Sequence, residues 1–232
     1  MDQIEESIVE GEFKPGDKLP SSAELQKIMG ASLGTLREAF RILEQKGLIE
    51  VRKGVKGGVF AREATTVPVS EGLGLLIRQR QISLEDLAEF RKVIEAGLIR
   101  RVAEKATKRD VDELKQFLVE LKPQVERGDA GWKSFLEIEV RLRKTLIRIA
   151  GSRMYEVVLV PIHENIFAYA YKYLSGFKDK IEAAYQDWLQ IVDALERRDG
   201  ATAAAVTQDH ISRFAKCMKL GRAQSAQQEK GQ

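Results

Sequence analysis

Apolar residues along this chain follow two different periods, and the first change of period falls early. Ser21 and Glu24 have the spacing of a capping box, and a helix runs from there to Gly30. Ser32 can cap a second helix after a very short turn, and Leu36, Phe40 and Leu43 return along one face of it. The pattern then switches to two short strands, LIEVR and GGVFA, on either side of the basic tip Lys53-Gly54-Val55-Lys56. A short helix, Asp2 to Val9, precedes all of this, near the marginal length for a helix without packing. Helix, tight turn, helix and hairpin predict a winged helix-turn-helix over residues 1–62.

Beyond a linker at 63–69, with paired threonines and Pro68, the helical period takes over. Helices are predicted near 70–80, 84–105, 108–127, 131–149, 153–174, 178–197 and 201–219. Ser83, Thr107 and Ser152 serve as caps, and Gly128-Asp129, Gly151, Ser175-Gly176 and Asp199-Gly200 punctuate the rest. The fold class is mainly α: the winged domain, then an antiparallel helical bundle over 70–221 whose inward-facing side chains can line a ligand site. Residues 222–232 are polar, carry no core pattern and are expected to be disordered.

Charge sharpens the reading of the first domain. Acidic residues dominate up to Ala31. From Ser32 to Arg62 the sign reverses through Arg37, Arg41, Lys46, Arg52, Lys53, Lys56 and Arg62. Ser32, Thr35, Arg37 and Arg41 lie on the outward face of the second helix, and Lys53, Lys56 and Gly57 at the hairpin tip. Such a helix fits the major groove of DNA, and such a wing fits the phosphate backbone. Two plainer readings stay open: a charge run is usually a solvated face, and helix pairs with a hairpin also occur in protein-interaction modules. The net charge of +3 is too small for non-specific coating of nucleic acid. A single cysteine, Cys217, excludes an intramolecular disulfide and a cysteine-based zinc cluster. The N-terminal DQIEESIVEGE is no signal peptide, and no apolar run nears the roughly 20 residues that span a bilayer. A soluble, cytoplasmic protein without membrane partners is expected.

KPGDKLPS, GTLREAFRILEQKGLIEVRKG and GGVF resemble the DNA-binding domain of the GntR family of bacterial transcription regulators. EFRKVIEAGLIRRVAEKAT, FLEIEVRLRKTLIRIAGS and IVDALERRDGATAAAVTQDHI resemble helices of the FCD effector domain of its FadR-like branch. The resemblance implies a homodimer on a near-palindromic double-stranded operator, with DNA affinity set by a small, usually acidic metabolite in the bundle. Such domains usually have one or two more helical turns before the point matching Met1, so a longer native protein is expected. Members commonly carry arginine where this chain has Ala23 and Leu33, which shifts base reading towards Arg37, Thr35 and the wing.

The effector domain departs as well. The family's metal-binding aspartate and three histidines correspond to Glu139, Arg143, Trp188 and His210. Two imidazoles are gone and a guanidinium cannot coordinate a cation, so no metal or other cofactor is expected. His163 lies outside the pattern. Glu139 and Arg143, four apart, can share a helix face, and Arg91 of the E-x-R-x-x-x-E segment is implied to point the same way. Arg91 and Arg143 are expected to fork onto an anionic effector, with Glu139 or His210 orienting them and Tyr169, Tyr173 and Trp188 as walls. A CoA-thioester sensor is the alternative within the family. Outside it stand a winged-helix module for protein contacts and a helical enzyme using Glu139, His210 and Arg143 as an acid–base site with an anion clamp.

Overall fold

The computed structural model describes residues 2–173 and 178–230, and their side chains except at 172, 173, 178, 179, 222 and 224–230. It divides into two compact units, Met1–Glu71 and Gly72–Gln232. In the first, the Glu24 N–H donates to Ser21 Oγ at 3.3 Å and the Ser21 N–H donates to the Glu24 carboxylate at 2.7 Å. This reciprocal pair starts α2 (Ser22–Met29), with α1 (Asp2–Val9) before it. Gly30 ends α2 at φ 62, a left-handed cap that costs glycine nothing. Ser32 Oγ then accepts from the Thr35 N–H at 3.1 Å and opens α3 (Leu33–Gln45). Ile4 and Ile8 of α1 close the core formed by Leu25, Leu36, Phe40, Leu43 and Ile49.

β1 (Ile49–Arg52) and β2 (Gly58–Ala61) pair antiparallel, Ile49 opposite Ala61 and Arg52 opposite Gly58. β2 is also paired on its other side. The Leu19 N–H donates to the Val59 carbonyl and the Ala61 N–H to the Asp17 carbonyl, each at 2.8 Å. That pairing covers a strand edge that would otherwise be bare. It comes from KPGDKLPS, whose proline, glycine and charges carry no alternating pattern.

The helix expected at 70–80 begins earlier, as α4 (Val67–Arg78), and takes the end of the anticipated linker into its first turn. Pro68 is tolerated there because the first N–H groups of a helix have no intrahelical acceptor. The second unit continues with α5 (Leu84–Lys105) and α6 (Lys108–Glu126), each opened by a capping box, Ser83 with Asp86 and Thr107 with Asp110. α7 (Trp132–Ala150), α8 (Arg153–Tyr173), α9 (Lys178–Glu196) and α10 (Gly200–Lys230) follow. The break expected at Ser175-Gly176 lies outside the described residues. α10 packs along α5 and α9, α6 against α7 and α9, and α7 also against α5 and α8. Gly200 brings α10 close to α5: a Cβ there would sit 3.2 Å from Arg100 Cα. α10 runs past the expected end at 219, through AQSAQQEK to Lys230. These are good helix formers with no glycine or proline among them, so the absence of a core pattern did not end the helix.

Candidate effector cavity and DNA-contacting face

In the first unit the core stripe of α3, Leu36, Phe40 and Leu43, leaves Ser32, Thr35, Arg37 and Arg41 exposed. These four are not equivalent. Ser32 and Thr35 hydroxyls are hydrogen-bonded to each other at 2.8 Å. Arg41 is paired with Glu38 at 2.7 Å, so part of its charge is spent. Arg37 has no ion pair or hydrogen bond among the described residues and is the unspent cation of the helix. Lys53 and Lys56 are likewise exposed and without an ion pair among the described residues. Arg52 stacks 4.3 Å over the Phe60 ring and pairs with Glu50, which stiffens the base of the wing. Gly57 closes the tip by donating its N–H to the Gly54 carbonyl at 2.8 Å. A Cβ at Gly57 would lie 2.3 Å from the Arg52 carbonyl oxygen, so its part is to shape the wing.

The second unit buries a charged network. Arg91 Nε donates to Glu95 Oε1 at 2.6 Å, and Arg143 Nη1 donates to Glu95 Oε2 at 2.6 Å. Arg143 Nη2 lies 2.9 Å from Glu139 Oε1 and 3.0 Å from His210 Nε2. His210 Nδ1 is 3.0 Å from Asp187 Oδ2, and Arg213 pairs with the other oxygen of Asp187. His163 Nε2 is 2.9 Å from Glu95 Oε1. Every one of these side chains except Arg213 belongs to a residue at most 8% exposed. Glu95 was missed in the sequence, although Arg91 and Glu95 stand four apart in EFRKVIE. Asp187 and Arg213 carried no signal, because nothing in their spacing distinguishes them from surface charges.

Burial alone would raise the Glu95 carboxyl, but Arg91, Arg143 and His163 outweigh it and hold it well below the usual carboxylate range. Glu139 is lowered in the same way, its burial outweighed by Arg143 and His210. Burial pulls His210 down, yet its bonds to Asp187 and Glu139 win and raise it; His163 is the reverse, with burial prevailing over Glu95. The two guanidiniums also differ. Burial leaves Arg91 below its ordinary value despite Glu95, whereas in Arg143 the pull of Glu95 and Glu139 more than offsets burial. Arg143 has two carboxylate partners and Arg91 has one. Among the described residues Arg91 spends only Nε on a hydrogen bond.

Two cavities flank the network. A small one of about 30 Å³ is lined by Arg91, Arg143, Glu139 and His163 among apolar side chains of α7, α8 and α10. A larger one of about 280 Å³ lies between stripes of three helices: Trp132, Phe135 and Glu139 of α7, Lys180, Ala184 and Asp187 of α9, and His210, Arg213, Phe214 and Cys217 of α10. Glu139 and Phe214 belong to both walls. Trp132 Nε1, beside the larger cavity, and His163 Nδ1, beside the smaller, are buried with no hydrogen-bond partner among the described residues.

The expected aromatic walls are not where the resemblance implied. Trp188 is 1% exposed and lines neither cavity; its indole N–H donates to Glu139 at 3.3 Å and its ring lies 4.9 Å from the Arg143 guanidinium carbon. Its size and spacing put it in the core, where it seals the network. Tyr169 packs partly buried against the core and belongs to neither wall. The Tyr173 side chain lies outside the described residues. A divalent metal does not fit: Glu139 Oε1 and His210 Nε2, the donors left for it, both meet Arg143 Nη2. A metal there would have to share its position with a permanent cation.

Residues 1–59 match the model for bacterial regulatory proteins of the gntR family, and residues 86–213 match the FCD domain. The HTH-type transcriptional regulator LutR of Bacillus subtilis is 26% identical over 209 residues, covering 88% of this chain and 93% of LutR. The HTH-type transcriptional repressor NanR of Escherichia coli K12 is 26% identical over 214 residues, covering 91% of this chain and 80% of NanR. Among solved structures, a GntR protein of Streptococcus agalactiae aligns with a TM-score of 0.69 and 23% identity, over 93% of this chain and 96% of that one. No helix among the described residues is long and apolar enough to cross a membrane.

Proposed function

The chain belongs to the gntR family of bacterial regulatory proteins with an FCD domain, so it is a DNA-binding transcription regulator and not an enzyme, and we propose that its effector is a small anionic metabolite. The observation that carries this reading is Arg91: a buried guanidinium whose outer donors have no partner among the described residues, on the wall of a cavity inside the bundle. A buried cation with spare donors attracts an anion far more strongly than a surface one. Arg143 is already held by Glu95 and Glu139, so its part is to position Glu139 without a metal. On DNA, Arg37 reads a base edge or phosphate, while Lys53 and Lys56 hold the backbone. Two copies act together in the cytoplasm on a near-palindromic operator, with half-sites about one helical turn apart.

Cavity size bears on the CoA-thioester alternative. At about 280 Å³ the larger cavity is roughly twice the 150 Å³ space that takes benzene, enough for a small acid and far too little to enclose a CoA ester. The test is anisotropy of labelled DNA from upstream of the protein's own gene, titrated at fixed salt with organic acids and CoA esters. Displacement of the DNA by small acids alone supports the proposal; displacement by CoA esters alone overturns it.

A further inference from the structure

The two cavities differ in a complementary way. The smaller has room for about two water-sized groups and offers the unspent Arg91 donors. The larger is mainly apolar between Phe135, Ala184 and Phe214. Among the described residues only Glu139 and Phe214 stand in both walls, Glu139 tied by hydrogen bonds and Phe214 held by packing alone.

We propose that the two cavities form one site for a monocarboxylate with a compact apolar body, its head on Arg91 in the smaller cavity and its body in the larger, with Phe214 as the partition that turns aside. This rests on the effector reading above. Two oxygens of a carboxylate match the room beside Arg91, and a body of about benzene size matches the other. Charge selects a single carboxylate. Glu95, Glu139 and Asp187 face Arg91, Arg143 and Arg213, a balanced set. His210, from α10, meets Glu139 and Arg143 of α7 and Asp187 of α9. Those two carboxylates raise its pKa, so uptake of one proton there can accompany one anion. A second carboxylate beside Arg91 has no counter-charge from this network, since Lys180 and Lys216 line the larger cavity and not the smaller, and an uncompensated buried charge is strongly disfavoured.

The test is calorimetry and DNA displacement on the full chain with matched probes: phenylpropionate, its amide, and phenylsuccinate, which adds a second carboxylate to the same body. Phenylpropionate is expected to bind at least ten-fold more tightly than either. Phe214→Ala, with Phe214→Leu as the milder variant, is expected to improve binding of the bulkier naphthylacetate at least ten-fold over wild type. Equal binding of acid and amide, or unchanged affinity for naphthylacetate in both variants, overturns the proposal without any need to alter Arg91. Operator release by phenylsuccinate but not by phenylpropionate overturns it and leaves anionic effector control standing. Failure of every acid to bind or to displace DNA removes both.

Discussion

Glu95→Gln tests whether the buried network is held by charge. Glu95 is 2% exposed and accepts from Arg91, Arg143 and His163 at once. Glutamine keeps the shape and one acceptor but removes the charge. Arg143 retains Glu139; Arg91 retains no carboxylate partner among the described residues. Removing one partner of a buried ion pair costs about 3–5 kcal/mol, because the remaining charge stays desolvated. At about 2–4 °C per kcal/mol for a protein of this size, the helical unit should melt roughly 6–20 °C lower. The assay is thermal unfolding by circular dichroism at neutral pH. Glu196→Gln is the control, since its pair with Lys115 is half exposed and worth under about 1 kcal/mol. Adding Arg91→Met to Glu95→Gln should recover part of the loss, because it deletes the charge left stranded. A Glu95→Gln protein that melts with the control would refute the reasoning and mark the network as hydrated.

Arg37→Ala should weaken operator binding about ten-fold or more, and Lys53→Ala should weaken all sequences alike and flatten the salt dependence by about one unit, both read by anisotropy over a salt series. Gly57→Ala places a methyl against the Arg52 carbonyl, so DNA affinity should fall while helical circular dichroism is unchanged. His210 has a raised pKa, so the stability linked to its proton is fully present below the ordinary imidazole value of 6.5 and is lost as pH rises through the higher folded value. The stability difference between wild type and His210→Gln should therefore shrink as pH rises above 6.5 in urea titrations; a constant difference would show that folding leaves the His210 pKa unshifted, and a difference that grows with pH would show that His210 is buried neutral.

Much of the scaffold was legible because it is written in local chemistry. Ser21 with Glu24, Ser32, Ser83 and Thr107 each cap a helix through atoms within three residues, and the wing follows from spacing alone. The extra pairing of Asp17 and Leu19 with β2 was not legible, since it depends on where a turn-rich segment is carried by the rest of the domain. In the helical unit, matched positions identified Arg91, Glu139, Arg143 and His210 as neighbours. Their partners could not be read so easily. Glu95 reaches Arg143 across 48 positions and Asp187 reaches His210 across 23, distances over which periodicity says nothing. Trp188 was misread as a wall because an aromatic on a buried stripe looks the same whether it faces a cavity or seals one.

The partner that was missed changes how the site can work. With Arg91 and Arg143 read as free forks, an anion simply adds to waiting cations. With Glu95 between them, both guanidiniums are already committed, and they differ in how far. Arg143 joins α7 to α5 through Glu95 and is held on its own helix by Glu139, so moving it disturbs both helices at once. Among the described residues Arg91 is joined only to Glu95 on its own helix. An anion can therefore reach Arg91 without breaking the cross-helix bonds, and its charge then competes with Glu95 for the same guanidinium. Any weakening of Arg91–Glu95 leaves Glu95 freer to pull on Arg143 and His163, which lie on α7 and α8. On the proposed reading, a local binding event would be converted into a change of partner between helices, the kind of discrete rearrangement through which a packed domain transmits a signal.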